Sequence, residues 1–558
     1  MPRLHIRLRF ITYIIAMSNE LKQVLSYHQA TKHSYEAYAP GPGFLEWVTQ
    51  PDPFRRYPGT ALIRLRQLPP ANGPRYDDAF EPDRIPPARL DFQSVSQLFF
   101  DSLAISAWKS VQEATWSLRV NPSSGDLHPS EGYLICGPVA ALTNEPLVCH
   151  YAPKEHSLEI RAKPLPALWE RLRSTFPEAT VFLGLTSIHW RESWKYGQRA
   201  YRYCQHDCGH AIAAVCFAAA ALGWQARLLD DLGSEDLEVL LGTGQTVGEE
   251  HEEPACLLAL CPYRTPIEPT CLPIDVVDEF KRVDWLGIPN RLSPSHHDWG
   301  MEPITLAARK SRTAYVHDPL PAEECPAPPV SRPVSLRQMI RKRRSAVAMD
   351  GETTLEAGAF FQVLQHCLHI PDRPPFTALP WPPSTHFTVF VHRVDGLTPG
   401  IYMLVRNPEQ MAALQAACTA GGAWTIPEGC PPGLDFYLIR DNDVREPARK
   451  ISCYQDIASD SCFSLGMIAA FEEPLRRFGP WFYPRLFWET GALGQILYLE
   501  AEAAGIGSTG IGCYFDDPMH ELLGLRDSEF QDLYHFTFGG PVEDHRLTTL
   551  PAYDEDLE

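Results

Sequence analysis
The sequence predicts a mixed helix-and-strand protein built as two similar domains in one chain, and three observations predict it. The chain has 558 residues, enough for two to four domains at about 150 residues each, or for two of roughly 250 residues that each bury a substantial core. Residues 209–242 (GHAIAAVCFAAAALGWQARLLDDLGSEDLEVLLG) match residues 491–524 (GALGQILYLEAEAAGIGSTGIGCYFDDPMHELLG) at an offset of 282. A proline-rich stretch, 317–335 (HDPLPAEECPAPPVSRPVS), lies between the two copies and has the composition of a semi-rigid connector.

The repeat is specific because its glycines are in register. Gly209 pairs with Gly491, Gly223 with Gly505 and Gly242 with Gly524, spaced by fourteen and then nineteen residues in both copies. Alanine-rich apolar runs fill the first gap, and Leu-Leu-Gly closes each copy. Two copies indicate a duplicated domain rather than a solenoid, whose units are shorter and number three or more. The expected organisation is an N-terminal extension over 1–17, a first domain over 18–316, the linker over 317–335 and a second domain over 336–558. The extension joins arginines to a short apolar run with no cleavage-site pattern, so an internal start at Met17 is the simpler expectation. Strands are expected at 134–136, 181–185 and 256–261, and again at 387–392, 436–439 and 534–538. The alanine-rich runs are expected as long helices.

Composition excludes several function classes. Apolar residues make up 44% and charged residues 21% of the chain, which is ordinary for a globular protein and incompatible with disorder throughout. Net charge is 49 − 69 = −20. A chain this acidic repels nucleic-acid phosphates and anionic headgroups, so neither nucleic acid nor a membrane is expected as a general partner. No stretch reaches the roughly 18 continuous apolar residues that mark a membrane helix. The 15 cysteines are odd in number and lack C-x-x-C spacing. A chain of this size needs no disulfide staples, so they are expected as mostly free thiols of a cytoplasmic protein.

Three stretches carry candidate chemistry. In 121–131 (NPSSGDLHPSE), Pro-Ser-Ser-Gly is turn chemistry that presents backbone N–H groups and two hydroxyls to a flat polar ligand. In 340–351 (IRKRRSAVAMDG), four consecutive cations precede Ser345. Arginine forks match phosphate oxygens, although a solvated basic helix end has the same composition. In 505–517 (GIGSTGIGCYFDD), four glycines allow backbone to approach a ligand closely. This run follows a helix rather than a strand, so it is not a dinucleotide fingerprint.

Taken in order along the chain, these stretches resemble the tandem nitroreductase-fold proteins of the SagB/ThcOx-type FMN-dependent dehydrogenase group. The first copy carries NPSSGDLHP, WRESWKYGQRAYR (190–202) and the helix from Gly209; the second carries RRSAVAMDG, GALGQILYLEAEAAGIGS, IGCYFDD and GGPVEDHRLT. The resemblance implies an α+β fold in which two nitroreductase-like domains form a pseudo-dimer with FMN at their interface. It implies that Arg343, Arg344 and Ser345 hold the phosphate, that Gly510 and Gly512 lie near the ring system, and that Arg546 adds a C-terminal basic contact. Pro122, Ser123, Ser124 and Asp126 would come from the other half. Two positions depart from the pattern: Val347 stands where a further basic residue is usual, and Asp126 where an asparagine is usual. The opposite pairing is expected to be dead. Lys32-His33-Ser34 stand in for Arg-Arg-Ser, 223–232 lacks the glycines, and LPWPPSTHF (379–387) replaces the Pro-Ser-Ser-Gly loop. One FMN per chain follows.

The resemblance also implies that Lys195 and Tyr196 are catalytic, accepting a proton while substrate is dehydrogenated. A desolvated lysine or a tyrosinate can do this when its pKa approaches neutrality, and the nearby Arg199 and Arg202 are expected to lower both. A competing constellation, Cys204, His206, Cys208 and His210, alternates along a helix and cannot face one ion, so packing at the domain interface is expected there and no metal. The expected function is FMN-dependent oxidoreduction by hydride transfer at flavin N5, dehydrogenating a small-molecule or peptide-derived heterocycle of the azoline type. The alternatives are an NAD(P)H-dependent nitro, quinone or enone reductase, and a non-catalytic flavin-free binding scaffold.

Overall fold
A computed structural model describes residues 18–69, 73–81, 83–262, 271–312 and 333–553. The expected extension over 1–17 and most of the expected linker lie outside the described residues.

Each half forms an antiparallel sheet from the alternating and continuous apolar runs of the sequence. In the first half the strands are β1 (Ser130–Cys136), β2 (Leu147–Ala152), β3 (Ser157–Ala162), β4 (Val181–Ile188), β5 (Trp224–Leu228) and β6 (Glu252–Pro262). In the second half they are β7 (Thr385–Val391), β8 (Gly400–Leu404), β9 (Phe436–Asp441), β10 (Phe463–Ala470), β11 (Gly507–Ile511) and β12 (Phe530–Gly539). The spatial orders are β3-β2-β1-β4-β6-β5 and β9-β8-β7-β10-β12-β11, so the two sheets have one topology. The first adds an edge strand, Leu62–Arg64, beside β3. All six strand regions expected from the sequence lie in these sheets.

Two helices of 22 residues join the halves: α1 (Ala200–Ala221) and α2 (Tyr483–Ala504). Every residue of α1 is buried, the polar Arg202, Gln205, His206, Asp207 and His210 included. The in-register glycines explain the crossing. A Cβ on Gly209 would fall 2.3 Å from the Trp488 carbonyl oxygen, and one on Gly491 would fall 2.2 Å from the His206 carbonyl oxygen. His206 and Trp488 are themselves 282 apart, so the contact is reciprocal, as across the twofold of a homodimer. Any side chain there would force the helices apart.

The halves also clasp each other. The C-terminal strand Thr548–Leu550 pairs with Ile105–Val111, one arm of a hairpin in the first half. Among the described residues, no helix is long and apolar enough to cross a membrane, and all cysteines are free.

Candidate active site
One cleft of about 780 Å³ opens between the halves, lined by 122–126 and Tyr196 from the first half, and by 342–347 and β11 from the second. The three stretches singled out in the sequence therefore converge. Pro122, Ser123, Ser124, Asp126, Arg343, Arg344, Ser345, Gly510 and Gly512 all line it.

The loop 122–126 is held from below by α1. The Ser124 amide donates to the Asp207 carboxylate at 3.1 Å, and the Ser124 hydroxyl donates at 3.2 Å. The Ser123 hydroxyl accepts from the His128 amide at 2.8 Å. Gly125, with φ of +63°, turns the chain where a side chain would collide: a Cβ would lie 2.5 Å from the Tyr196 hydroxyl and 2.6 Å from Lys195 Nζ. The Lys195–Tyr196 pair, at the end of helix His189–Tyr196, is thus seated against the Pro-Ser-Ser-Gly loop.

The basic segment follows helix Leu336–Lys342 and grips the first half through carbonyl oxygens. Arg341 donates to the carbonyls of Phe100 and Ile105 at 2.9 and 2.8 Å. Arg343 donates to those of Val120 and Arg119 at 3.3 and 3.2 Å. Arg343 is buried, yet its Nη1 has no hydrogen-bond partner. Burial lowers its pKa, against the opposing pull of Asp126, which is how a desolvated cation behaves in a low dielectric. Arg344 spends one nitrogen on the carbonyls of Arg341 and Arg343 at 3.0 and 2.6 Å. Burial, then the neighbouring Arg343 and Arg341, hold its pKa down at about 10. The Ser345 hydroxyl is 2.8 Å from that of Tyr498, which also accepts from the Gly510 amide at 3.1 Å.

Gly510 in β11 and Gly512 just after it serve a purpose that the sequence did not disclose. A Cβ on Gly510 would lie 2.0 Å from the Tyr534 hydroxyl, and one on Gly512 would lie 2.4 Å from the Tyr203 ring. The space is taken by tyrosines that themselves line the cleft, so these glycines admit an aromatic wall. Tyr203, Tyr498 and Tyr534 were not marked by any spacing.

Behind the loop lies an acidic cluster that sequence reasoning also missed. Glu192 and Asp207 are buried, and their carboxyls are pushed up, first by burial. Asp126 is pushed up to about 6 by burial, against the pull of Arg343 and Lys195. The available signal was a lone carboxylate, Asp207, inside an alanine-rich helix.

Three expectations are corrected. Arg199 and Arg202 do not hold Tyr196 as a tyrosinate, because both are locked onto Asp516 at 2.8 and 2.7 Å. The Tyr196 hydroxyl is accordingly raised well above the ordinary phenol range by burial and by Glu192; it is not a tyrosinate. Arg546 is outside the cleft lining, its side chain 83% exposed and paired with Asp544 at 2.7 Å. Lys32-His33-Ser34 is not the counterpart of the Arg-Arg-Ser segment. It follows helix Asn19–Ala30, whereas 336–345 precedes helix Ala357–His366, and its counterpart precedes helix Phe92–Phe100. His206 and His210, considered as ligands, instead contact Thr490 and Gln495 of α2 and Tyr534 of β12.

No family model and no curated protein matches the chain. Among solved structures, a provisionally named nitroreductase of Anabaena variabilis superposes with a TM-score of 0.67 at 21% identity, covering 93% of this chain and 99% of that one. The chain has the nitroreductase fold. Smaller portions match an Escherichia coli microcin synthetase complex, with a TM-score of 0.27, 17% identity and coverage of 36% of this chain and 70% of that one. A provisionally named nitroreductase of Ralstonia eutropha matches with a TM-score of 0.27, 15% identity and coverage of 40% and 98%. This nitroreductase-fold chain carries both halves of the cleft itself.

Proposed function
We propose that the chain is an FMN-dependent oxidoreductase of the SagB type, a tandem duplication with domains over 18–316 and 336–558. The observation that carries this reading is Arg343, a buried guanidinium with an unpartnered nitrogen in a cleft of about 780 Å³. That volume is in the range of cofactor sites, and a guanidinium edge without an acceptor is the complement of a phosphate oxygen. The residues present fit FMN: Arg343, Arg344 and Ser345 at the phosphate, the β11 backbone and the tyrosine wall beside the ring system, and the 122–126 loop across from them.

When bound, FMN supplies a two-electron hydride acceptor at N5. The protein's own part is binding, orientation and proton management. Ser123 and Ser124 are fixed by His128 and Asp207, so the loop is preorganised rather than adaptable. Lys195 is the proton acceptor in this reading, held against Gly125. Tyr196, kept protonated by its surroundings, orients substrate as a hydrogen-bond donor. The substrate is a small-molecule or peptide-derived heterocycle, dehydrogenated at a C–H next to the atom that loses its proton. A second reading is favoured by the same raised Tyr196 pKa: an NAD(P)H-dependent nitro, quinone or enone reductase needs a proton donor, not a base, at this position. Flavin released from purified protein distinguishes both from a flavin-free scaffold. One FMN per chain is expected; none overturns the proposal. Anaerobic titration with NADPH or with an azoline peptide then separates the two chemistries.

A further inference from the structure
A second pair of reactive groups lies at the cleft, and none of the chemistry above uses it. Cys453 and Cys513 are far apart in sequence, yet their sulfurs are 3.1 Å apart. Both are half-buried rather than sealed in the core, and Cys513 lines the cleft directly after Gly512. The backbone goes out of its way to make this contact: Cys453 and Tyr454 are consecutive non-glycine residues in the left-handed region, with φ of 54° and 59°. Such conformations persist only where surrounding structure enforces them, and they collect at functional positions. Here the turn is pinned by Gln455, which donates to the Ser452 carbonyl at 2.8 Å and to the Cys513 carbonyl at 2.9 Å.

We propose that Cys453 and Cys513 form a redox-active dithiol at the rim of the cleft, oxidised to a disulfide by exchange with a low-molecular-weight disulfide of the glutathione type. Cys513 is the attacking thiol. The Cys453 thiol it faces, then His33 and Arg199, hold its pKa well below the usual thiol range, against burial; a thiolate is the nucleophile in exchange. Cys453 is the opposite case, with its thiol raised by the same contact, so it keeps its proton until the second step. The Cys513 thiolate attacks one sulfur of the small disulfide. That S–S bond breaks, the first small thiolate leaves and takes a proton, and Cys513 carries a mixed disulfide. Cys453 then gives up its proton and attacks the Cys513 sulfur, releasing the second small thiol. Two cysteines are oxidised by two electrons and one small disulfide is reduced to two thiols. The new bond ties the turn after helix Arg445–Ile451 to the end of β11, so it stiffens the cleft wall that the tyrosines form.

The site does not depend on the flavin assignment. The test incubates the purified full-length protein with oxidised glutathione, alkylates the remaining thiols and maps the peptides by mass spectrometry. The expected result is a Cys453–Cys513 linked peptide, reversed by dithiothreitol. In Cys453→Ser, Cys513 should accumulate as a stable glutathione adduct, and in Cys513→Ser, Cys453 should stay alkylatable. The proposal is overturned if both cysteines remain alkylatable while the exposed Cys271 is glutathionylated. It is equally overturned if the Cys453→Ser protein, folded by circular dichroism, forms no adduct at Cys513.

Discussion
The cleft and the region related to it by the 282-residue offset are built from the same elements and end in opposite states. In the cleft, Tyr203 and Gly510 border about 780 Å³ of space. In the related region, Arg485 and Leu228 occupy the corresponding positions, and about 50 Å³ remains. Arg485 forms a buried ion pair with Asp230 at 2.6 Å, and Lys310 fills in beside it, donating to the Leu232 carbonyl at 3.3 Å. The acids at the base differ in the same sense. Asp207 holds the Ser124 amide with no arginine against it, whereas Glu489, its counterpart, holds the Ser384 and Thr385 amides at 3.0 and 3.2 Å and is neutralised by buried Arg406 at 2.6 Å. An acid neutralised by a buried arginine marks the filled side; an acid pushed up by burial marks the open one. A fold can keep its symmetry in the backbone while packing and charge settle which of two equivalent sites survives.

The comparison is broken most severely at the proton acceptor. Lys195→Ala should slow substrate-driven flavin reduction by roughly 10²–10⁴-fold, the usual contribution of a positioned base, while the protein still purifies yellow and dithionite still bleaches it. Tyr196→Phe should also stay yellow. Stopped-flow absorbance at the flavin band measures both, and parental rates in both variants would favour the reductase chemistry.

The next largest effect contrasts the two arginines. Arg343→Ala removes a charge-assisted contact worth ~1.5–3 kcal/mol, so FMN affinity should fall about ten- to a hundred-fold. Arg485→Ala, on the filled side, should leave FMN affinity unchanged and lower thermal stability instead, because it breaks the buried Arg485–Asp230 ion pair. Equal losses of affinity in both variants, read by flavin fluorescence titration, would erase the distinction between the two regions.

A smaller effect belongs to Asp126. Its folded-state pKa, about 6 against an ordinary 3.8, means that the folded protein binds the proton more tightly than the unfolded chain. Stability is therefore lost as pH rises between those values, and the penalty is complete above about 6. Asp126→Asn removes the penalty: it should raise the melting temperature by about 1–2 °C at pH 7.5 and leave it unchanged near pH 4. The smallest effect is expected at Arg546, where exchange for alanine should alter neither flavin content nor melting temperature, since its exposed pair with Asp544 contributes little.

The sequence by itself made the match at an offset of 282 legible, because its in-register glycines answer local requirements: two are needed where backbones touch, at Gly209 and Gly491, and the others end helices in the left-handed region at Gly223, Gly505, Gly242 and Gly524. Turn chemistry in 122–126 and consecutive cations in 341–344 are legible one residue at a time, but that they meet in one cleft is seen only in the tertiary structure. Tertiary structure alone decided what each group does there. Whether an arginine nitrogen is free depends on which carbonyls reach it: the buried Nη1 of Arg343 is left open, whereas Nη1 of Arg344 is spent on the Arg341 and Arg343 carbonyls. Whether Tyr196 ionises depends on Glu192 and on where Asp516 draws Arg199 and Arg202, partners brought from more than 300 residues away. Electrostatics and packing depend on distance through space, and spacing along the chain records that distance only within a turn or a helix.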